Sequence, residues 1–194
     1  FWELQKETLM DWHYYDEADD IETERTWKIA DYQDGLPNPF VLDSTLARRI
    51  WYPQSNLTVE YAEGWNMVGL PLSVDDNNYQ VQFPNAVEGT LYGYNEVYTE
   101  EITLENGNGY WLRFNDAGGT TIAGTSINEL TISLNGGWNL ISGISIPLDV
   151  TEIQDPDGII IAGTVYGFAF GGYSNEEILE PGKGYWIRAN SSGS

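Results

Sequence analysis

Residues 57 to 114 align with residues 130 to 189 almost without gaps, so whatever fold one stretch adopts the other must adopt as well. Leu57-Thr58-Val59 returns as Leu130-Thr131-Ile132, and Glu63-Gly64-Trp65-Asn66-Met67-Val68 returns as Gly136-Gly137-Trp138-Asn139-Leu140-Ile141, at an offset of 73 residues. Gly89-Thr90-Leu91-Tyr92-Gly93-Tyr94 reappears 74 residues later as Gly163-Thr164-Val165-Tyr166-Gly167-Phe168. Gly109-Tyr110-Trp111-Leu112-Arg113 reappears 75 residues later as Gly184-Tyr185-Trp186-Ile187-Arg188.

The period of two in Leu57 to Tyr61 and in Leu130 to Leu134 predicts a half-buried strand opening each repeat. Glycines at Gly64, Gly136-Gly137, Gly107 with Gly109, and Gly182 with Gly184 supply the tight connections between short strands. Each repeat therefore reads as five or six strands. The fold class is mainly β: a tandem pair of small antiparallel β-sandwich or open-barrel modules at 57–128 and 129–194. The first module continues into a closing strand at Thr120 to Gly124, whereas the second reaches Ser194 soon after Arg188. The expectation is a second module without its last strand, an open edge apt to pair with another chain, and a polypeptide that runs on beyond Ser194.

Two repeats must share a fold but need not share a ligand. The repeated aromatics Trp65, Trp138, Tyr110, Trp111, Tyr185 and Trp186 are accordingly assigned to the module cores. Aromatics that differ between the two copies, Tyr79, Tyr98 and Tyr173, are the candidates for exposed ligand platforms. Arg113 and Arg188 are expected to pair with a carboxylate or to stack on a ring.

These residues carry a resemblance. Gly64-Trp65-Asn66 with Gly109-Tyr110-Trp111, and their second occurrences, look like a module found near the C-termini of large secreted bacterial and archaeal proteins. The resemblance implies secretion, or a place at the cell surface, and an appended role without chemistry of its own.

Residues 3 to 32 have a different texture, poor in Gly and Pro, with Leu4, Leu9, Trp12, Ile21, Trp27 and Ile29 as apolar anchors at helical intervals. Two helices fit, broken near Asp16 to Asp20, the second capped by Asp19 or Asp20 and ended by Gly35 and Pro37. A third is expected from Ser44 to Ile50, which makes residues 1–56 a short α-helical segment.

The ordered series Leu9-Met10-Asp11-Trp12-His13, Glu22-x-x-Arg25, Ile29, Gln33, Asn38-Pro39-Phe40-Val41 and Asp43 resembles the C-terminal end of the bacterial endonuclease I family, secreted or periplasmic nonspecific nucleases. Ile21, where that family has Trp, and the turn Asp34 to Pro37 depart from it. The resemblance implies a parent with a metal-dependent ββα catalytic domain upstream, using Mg or Ca, and Phe1 as an interior residue of a longer precursor. No catalytic residue carries over: His13, the only histidine, matches no catalytic position.

Composition narrows the partners. The net charge is −22, with 12 acids against 5 bases up to residue 56 and 18 against 3 beyond it. Binding to nucleic acid rests on Lys and Arg at phosphates, so direct nucleic-acid binding by the β modules is excluded, as is attraction to anionic membranes. With no Cys there is no disulfide, no thiolate metal site and no thiol nucleophile. No apolar run has the length of a membrane span. Asp75-Asp76-Asn77-Asn78 and Asp155-Pro156-Asp157-Gly158 are short acidic strings that read as turns more readily than as calcium loops. No catalytic site, metal site or cofactor is thus assigned within the chain. Two functions are expected: the C-terminal portion of a secreted endonuclease I-like nuclease whose β modules tether or space it, or an extracellular binding or assembly module. The latter's partners would be a cell-surface glycan, secretion machinery or the protein itself.

Overall fold

A computed structural model describes residues 2–16, 18–51 and 53–194, so Phe1 and one residue of the expected break at 16–20 lie outside it. The chain divides into two compact units, Phe1–Gln54 and Ser55–Ser194.

The first unit is helical: α1 (Trp2–Tyr15), α2 (Asp20–Ala30), α3 (Pro39–Leu42) and α4 (Leu46–Trp51). Asp19 caps α2, its carboxylate accepting the Glu22 N–H at 2.8 Å. Gly35, at φ 76°, closes the turn after α2 by donating to the Ala30 carbonyl at 2.8 Å. The four-residue α3 is not legible from periodicity; Asn38 starts it by accepting from the Phe40 N–H, with Pro39 preset for the first turn. Among the described side chains of this unit, Met10, Thr26, Ala30 and Ala47 are buried. The expected anchors Trp12, Ile21, Trp27 and Ile29 are exposed, because short helices bury little surface and mostly small side chains take it. His13 bonds the Ser44 carbonyl through Nε2 at 2.7 Å, which ties the end of α1 to the turn before α4.

The second unit holds both repeats. The first contains β1 (Gln54–Tyr61), β2 (Gly64–Gly69), β3 (Leu72–Ser73), α5 (Tyr79–Gln82), β4 (Tyr92–Asn95), β5 (Val97–Glu100), β6 (Gly109–Phe114) and β7 (Gly118–Ser126). The second contains β8 (Gly137–Ser142), β9 (Leu148–Asp149), a single 3-10 turn at Val150–Glu152, β10 (Tyr166–Ala169), β11 (Gly172–Asn175), β12 (Ile178–Leu179) and β13 (Gly184–Ala189). The antiparallel order β2-β6-β4-β5 in one sheet is reproduced as β8-β13-β10-β11 in another. All sheets are open and none closes into a barrel.

The repetition extends to single atoms. Asn66 and Asn139 each accept the backbone N–H four residues upstream, of Ala62 at 2.9 Å and of Asn135 at 2.8 Å. Each amide also donates to that residue's carbonyl, which is why the Gly-Trp-Asn string is needed at the start of both strands. Thr90 and Thr164 staple the following loop to Val87 and Ile161, and Tyr110 and Tyr185 accept from the Glu105 and Glu180 N–H groups.

In the first repeat, β1-β7-β3 covers the four-stranded sheet as a second layer. Between them lie Val59, Tyr61, Leu72 and Ile122 from one layer and Val68, Tyr110, Leu112 and Phe114 from the other, with Tyr61 stacked on Phe114 at 3.7 Å. The second repeat has the smaller core of Leu134, Ile141, Ile159, Val165, Leu179, Tyr185, Ile187 and Ala189. Its expected opening strand at Leu130 to Leu134 does not form, apart from one bridge between Leu134 and Gly193. In the first repeat the corresponding strand is held by β7, and among the described residues no strand takes that place in the second.

The two repeats meet reciprocally. Gly69 N–H donates to the Gly182 carbonyl at 3.0 Å, and Ser142 N–H donates to the Gly107 carbonyl at 2.9 Å. Gly69 corresponds to Ser142, and Gly107 to Gly182, so residue i meets j as j meets i, the signature of a local two-fold axis. A Cβ built on Gly69 would fall 2.1 Å from the Ser142 Cβ. The seam has room for one side chain, and only one of the two equivalent positions carries it.

That steric exclusion is testable by exchange. Gly69→Ala is expected to destabilise the protein by about 1–3 kcal/mol, the usual cost of overpacking. The double variant with Ser142→Gly should recover most of the loss in thermal or urea unfolding. Equal destabilisation of the single and double variants would show that the seam is not what constrains Gly69.

Candidate aromatic site

Each four-stranded sheet buries one face in its own module. Tyr110 and Leu112 on β6 point inward, so by the alternation of a strand Trp111 and Arg113 stand on the opposite face. The same holds on β2, where Val68 enters the core while Trp65 and Met67 do not, and it holds on β8 and β13. The outward faces therefore carry the repeated Trp residues. Met67, Leu140 and Trp186 are buried there, packed by Tyr94, Trp111, Tyr166 and Phe168, in a third cluster made by both repeats.

The rings interlock in equivalent pairs. Tyr94 meets Trp186 edge-on at 4.8 Å, and Phe168 meets Trp111 edge-on at 4.8 Å. Trp65 stands edge-on to Trp111 and Trp138 to Trp186, both at 6.4 Å. These edge-to-face contacts suit the ring quadrupoles and fix each ring's tilt.

This geometry corrects the assignment of the repeated Trp residues to module cores. Tyr110 and Tyr185 are buried in the two cores, but Trp65 and Trp138 are each 42% exposed, and Trp186 is buried only in the cluster between repeats. A residue retained in both repeats marks the fold's second face as readily as its core. A second correction concerns Tyr79, which is 3% exposed and accepts the Gly89 N–H at 2.8 Å. It fills the first core and offers no platform.

Tyr98 and Tyr173, expected to differ between the copies, instead occupy equivalent hairpin positions, and both are more than half exposed. The β4-β5 hairpin places Tyr98 across from Tyr94, and the β10-β11 hairpin places Tyr173 across from Phe168, with ring centroids 5.2 and 5.3 Å apart. The second hairpin turns through Phe170 and Gly171, both at positive φ, as a tight two-residue connection demands. Two aromatic troughs result. One, of about 520 Å³, is lined by Trp65, Tyr92, Tyr98, Trp111 and Phe168. Its counterpart, of about 510 Å³, is lined by Tyr94, Tyr98, Trp138, Tyr166, Tyr173 and Trp186. Apart from Tyr98 and Tyr173, the sequence reading missed the lining residues: Tyr92, Tyr94, Tyr166 and Phe168 belong to repeated strings, and repetition alone does not say which face they occupy.

Arg188 lies over the Trp138 ring at 5.9 Å, so the cation stacks instead of entering a carboxylate pair. A more polar cleft of about 310 Å³ adjoins the second trough across Tyr94, with Asn95, Glu101, Glu105 and Asn135 among its walls. Burial pushes the Tyr98 phenol up, against the opposing pull of a hydrogen bond from Trp111, so the platform is uncharged at neutral pH.

The acidic strings serve turns. Asp155 accepts from the Ile159 and Ile160 N–H groups, which hold its carboxyl below the usual range, and Asp76 accepts from the Asn78 N–H. Among the described residues no three His, Asp or Glu side chains gather as a metal would require, and no helix is long and apolar enough to cross a membrane. No protein-family model, no curated protein and no solved structure matches the chain.

The paired buried phenols set an alkaline limit. Burial raises Tyr110 and carries Tyr185 up to about 12, whereas an unfolded phenol titrates near 10. A folded pKa above the unfolded one favours folding fully below pH ~10, and that contribution is lost as pH rises through ~12. The unfolding midpoint should therefore fall between those values, and Tyr185→Phe should flatten the fall. An unchanged slope in Tyr185→Phe would remove this phenol from the account.

Proposed function

We propose that residues 55–194 form a noncatalytic extracellular binding module whose twin aromatic troughs take the flat apolar faces of sugar rings on a cell-surface or matrix glycan. The observation that carries this reading is the pair of equivalent troughs, each walled by Trp and Tyr rings and lying open at the surface. Sugar rings present C–H faces that pack on aromatic faces, while their hydroxyls need amide and carboxylate partners at the edge. The cleft beside Tyr94, with Asn95, Glu101 and Glu105, offers such partners. The net charge of −22 argues against nucleic acid as the ligand. Two sites on one rigid body also favour a polymer, since the second contact becomes intramolecular after the first.

The role we assign to such a module is tethering. The helical unit resembles the trailing end of an endonuclease I-like domain, and its exposed Trp12, Ile21 and Trp27 give it the apolar surface that a larger domain would cover. We therefore place the chain in the C-terminal portion of a secreted nuclease of that type, with Mg or Ca belonging to the parent's catalytic domain.

Glycan-array binding followed by titration of Trp fluorescence tests the first reading. Trp138→Ala and Tyr98→Ala should each weaken binding about tenfold, the equivalent of about 1.4 kcal/mol, without changing the far-UV spectrum. Full affinity in both variants, or no glycan bound at all, would sink it. Plasmid cleavage by this chain with magnesium would overturn the placement of the catalytic residues outside it.

A further inference from the structure

The local two-fold axis gives the polar cleft beside Tyr94 an equivalent on the other side of the seam, and the two have diverged. The open cleft, of about 310 Å³, is lined by Glu101, Glu105 and Asn108 of the first repeat and by Ser133 and Asn135 of the second. The corresponding residues are Glu176, Glu180 and Lys183, with Glu60 and Ala62. On that side the protein supplies its own cation. Lys183 Nζ donates to the Glu60 carbonyl at 2.6 Å, and burial lowers its pKa while the Glu60 and Glu180 carboxylates oppose that shift. In the open cleft Asn108 stands in the place of Lys183, its amide donating to the Glu105 carboxylate at 3.0 Å, and no Lys or Arg is among the lining residues. Glu176 accepts from the Ser174 hydroxyl at 2.5 Å, whereas the half-buried carboxylate of its equivalent, Glu101, accepts no hydrogen bond among the described residues. Polar side chains have also gathered on the open side: Tyr94, Asn95 and Asn135 stand where the other cleft has Phe168, Ala169 and Ala62. Asn135 donates to Asn95 Oδ1 at 3.1 Å, which ties the two repeats together across this cleft.

We propose that the open cleft receives the free ammonium group of an amino sugar whose ring lies in the adjoining trough under Trp138. This rests on the glycan reading of that trough and names the class of sugar. Tyr94 lines both spaces, so a substituent on a ring seated in the trough reaches the cleft. The ammonium takes the position that Lys183 Nζ holds on the other side. Glu101 and Glu105 supply the opposite charge, and Ser133, which corresponds to Glu60, brings the equivalent backbone carbonyl. Hydrogen bonds from a cation to a carboxylate are roughly twice as strong as neutral ones, so charge on the sugar nitrogen is what the cleft selects. An acetylated nitrogen carries no charge and a single donor. The other trough, lined by Trp65 and Phe168, adjoins the side that Lys183 already occupies, so it takes neutral rings and the two troughs read different sugars.

Calorimetric titration of the full chain with short glucosamine oligomers, the same oligomers N-acetylated, and cello-oligosaccharides tests this at physiological ionic strength, where distant charges are screened. The amine form should bind about tenfold more tightly than the acetylated form. Glu101→Gln and Asn108→Lys should each bring that ratio close to one. Asn108→Lys copies the arrangement the second repeat already holds, and an unchanged thermal midpoint would confirm that it folds. Glu152→Gln removes one carboxylate from outside both troughs and the cleft and should keep the preference. An equal loss in Glu152→Gln assigns the preference to the net charge of −22 and overturns the proposal. A preference that survives both cleft variants overturns it as well. Equal affinity for amine and acetylated oligomers removes the ammonium site and leaves the glycan reading standing, whereas failure to bind any glycan removes both.

Discussion

The second unit depends on a close approach of two backbones. At Gly69 and Ser142 the equivalent strands β2 and β8 come near enough for their N–H groups to reach across to Gly182 and Gly107, and only one Cβ fits. Two hydrogen bonds are individually worth about 1 kcal/mol net. What they secure is larger, because the same approach brings Met67, Leu140 and Trp186 out of water. Burying one Trp removes on the order of 150–250 Å². At about 25 cal/mol per Å² that is roughly 4–6 kcal/mol as an upper figure. Neither four-stranded sheet can leave its aromatic face bare, so each repeat is the other's missing layer.

The troughs are a consequence of that packing. Two twisted sheets meeting about a local axis contact along the seam and diverge away from it. Trp186 closes into the seam, while Trp65 and Trp138 stand farther out and remain half in water. The hairpins then raise Tyr98 and Tyr173 beside the exposed rings. An acidic protein of this size needs no exposed Trp for solubility, and holding indole faces in fixed tilt by edge-on neighbours is an arrangement suited to receiving another flat body.

The duplication made most of this architecture readable, and its limits are equally physical. Strand positions, the capping of α2 by Asp19 and the turn role of Asp155 follow from local chemistry, which a sequence displays directly. The placement of Trp65 and Trp138 does not, because alternation separates two faces without saying which is inside, and here both are partly covered. Tyr79 looked variable and therefore free, yet it packs beneath Gly89, and Val150, whose N–H bonds Glu177 as that of Tyr79 bonds Ile102, takes the equivalent place beside the smaller second core. In the helical unit, apolar spacing pointed to large side chains such as Trp12, Ile21 and Trp27, whereas Ala30 and Ala47 are among the residues buried. Small residues give periodicity methods little signal, though they are what lets short helices approach.

The two repeats have diverged where their cores differ in support. Tyr61 stacked on Phe114 becomes Leu134 beside Ala189, and Ile122 has no counterpart among the described residues. The second module recovers part of this from the first: Lys183 donates to the Glu60 carbonyl at 2.6 Å, its pKa lowered by burial, and Ser145 donates to the Pro71 carbonyl at 2.6 Å. Gly182, at φ 81°, sits so close that an added Cβ would fall 2.3 Å from a Val59 methyl. The larger core of the first repeat thus braces the smaller core of the second through backbone contacts that neither core makes alone.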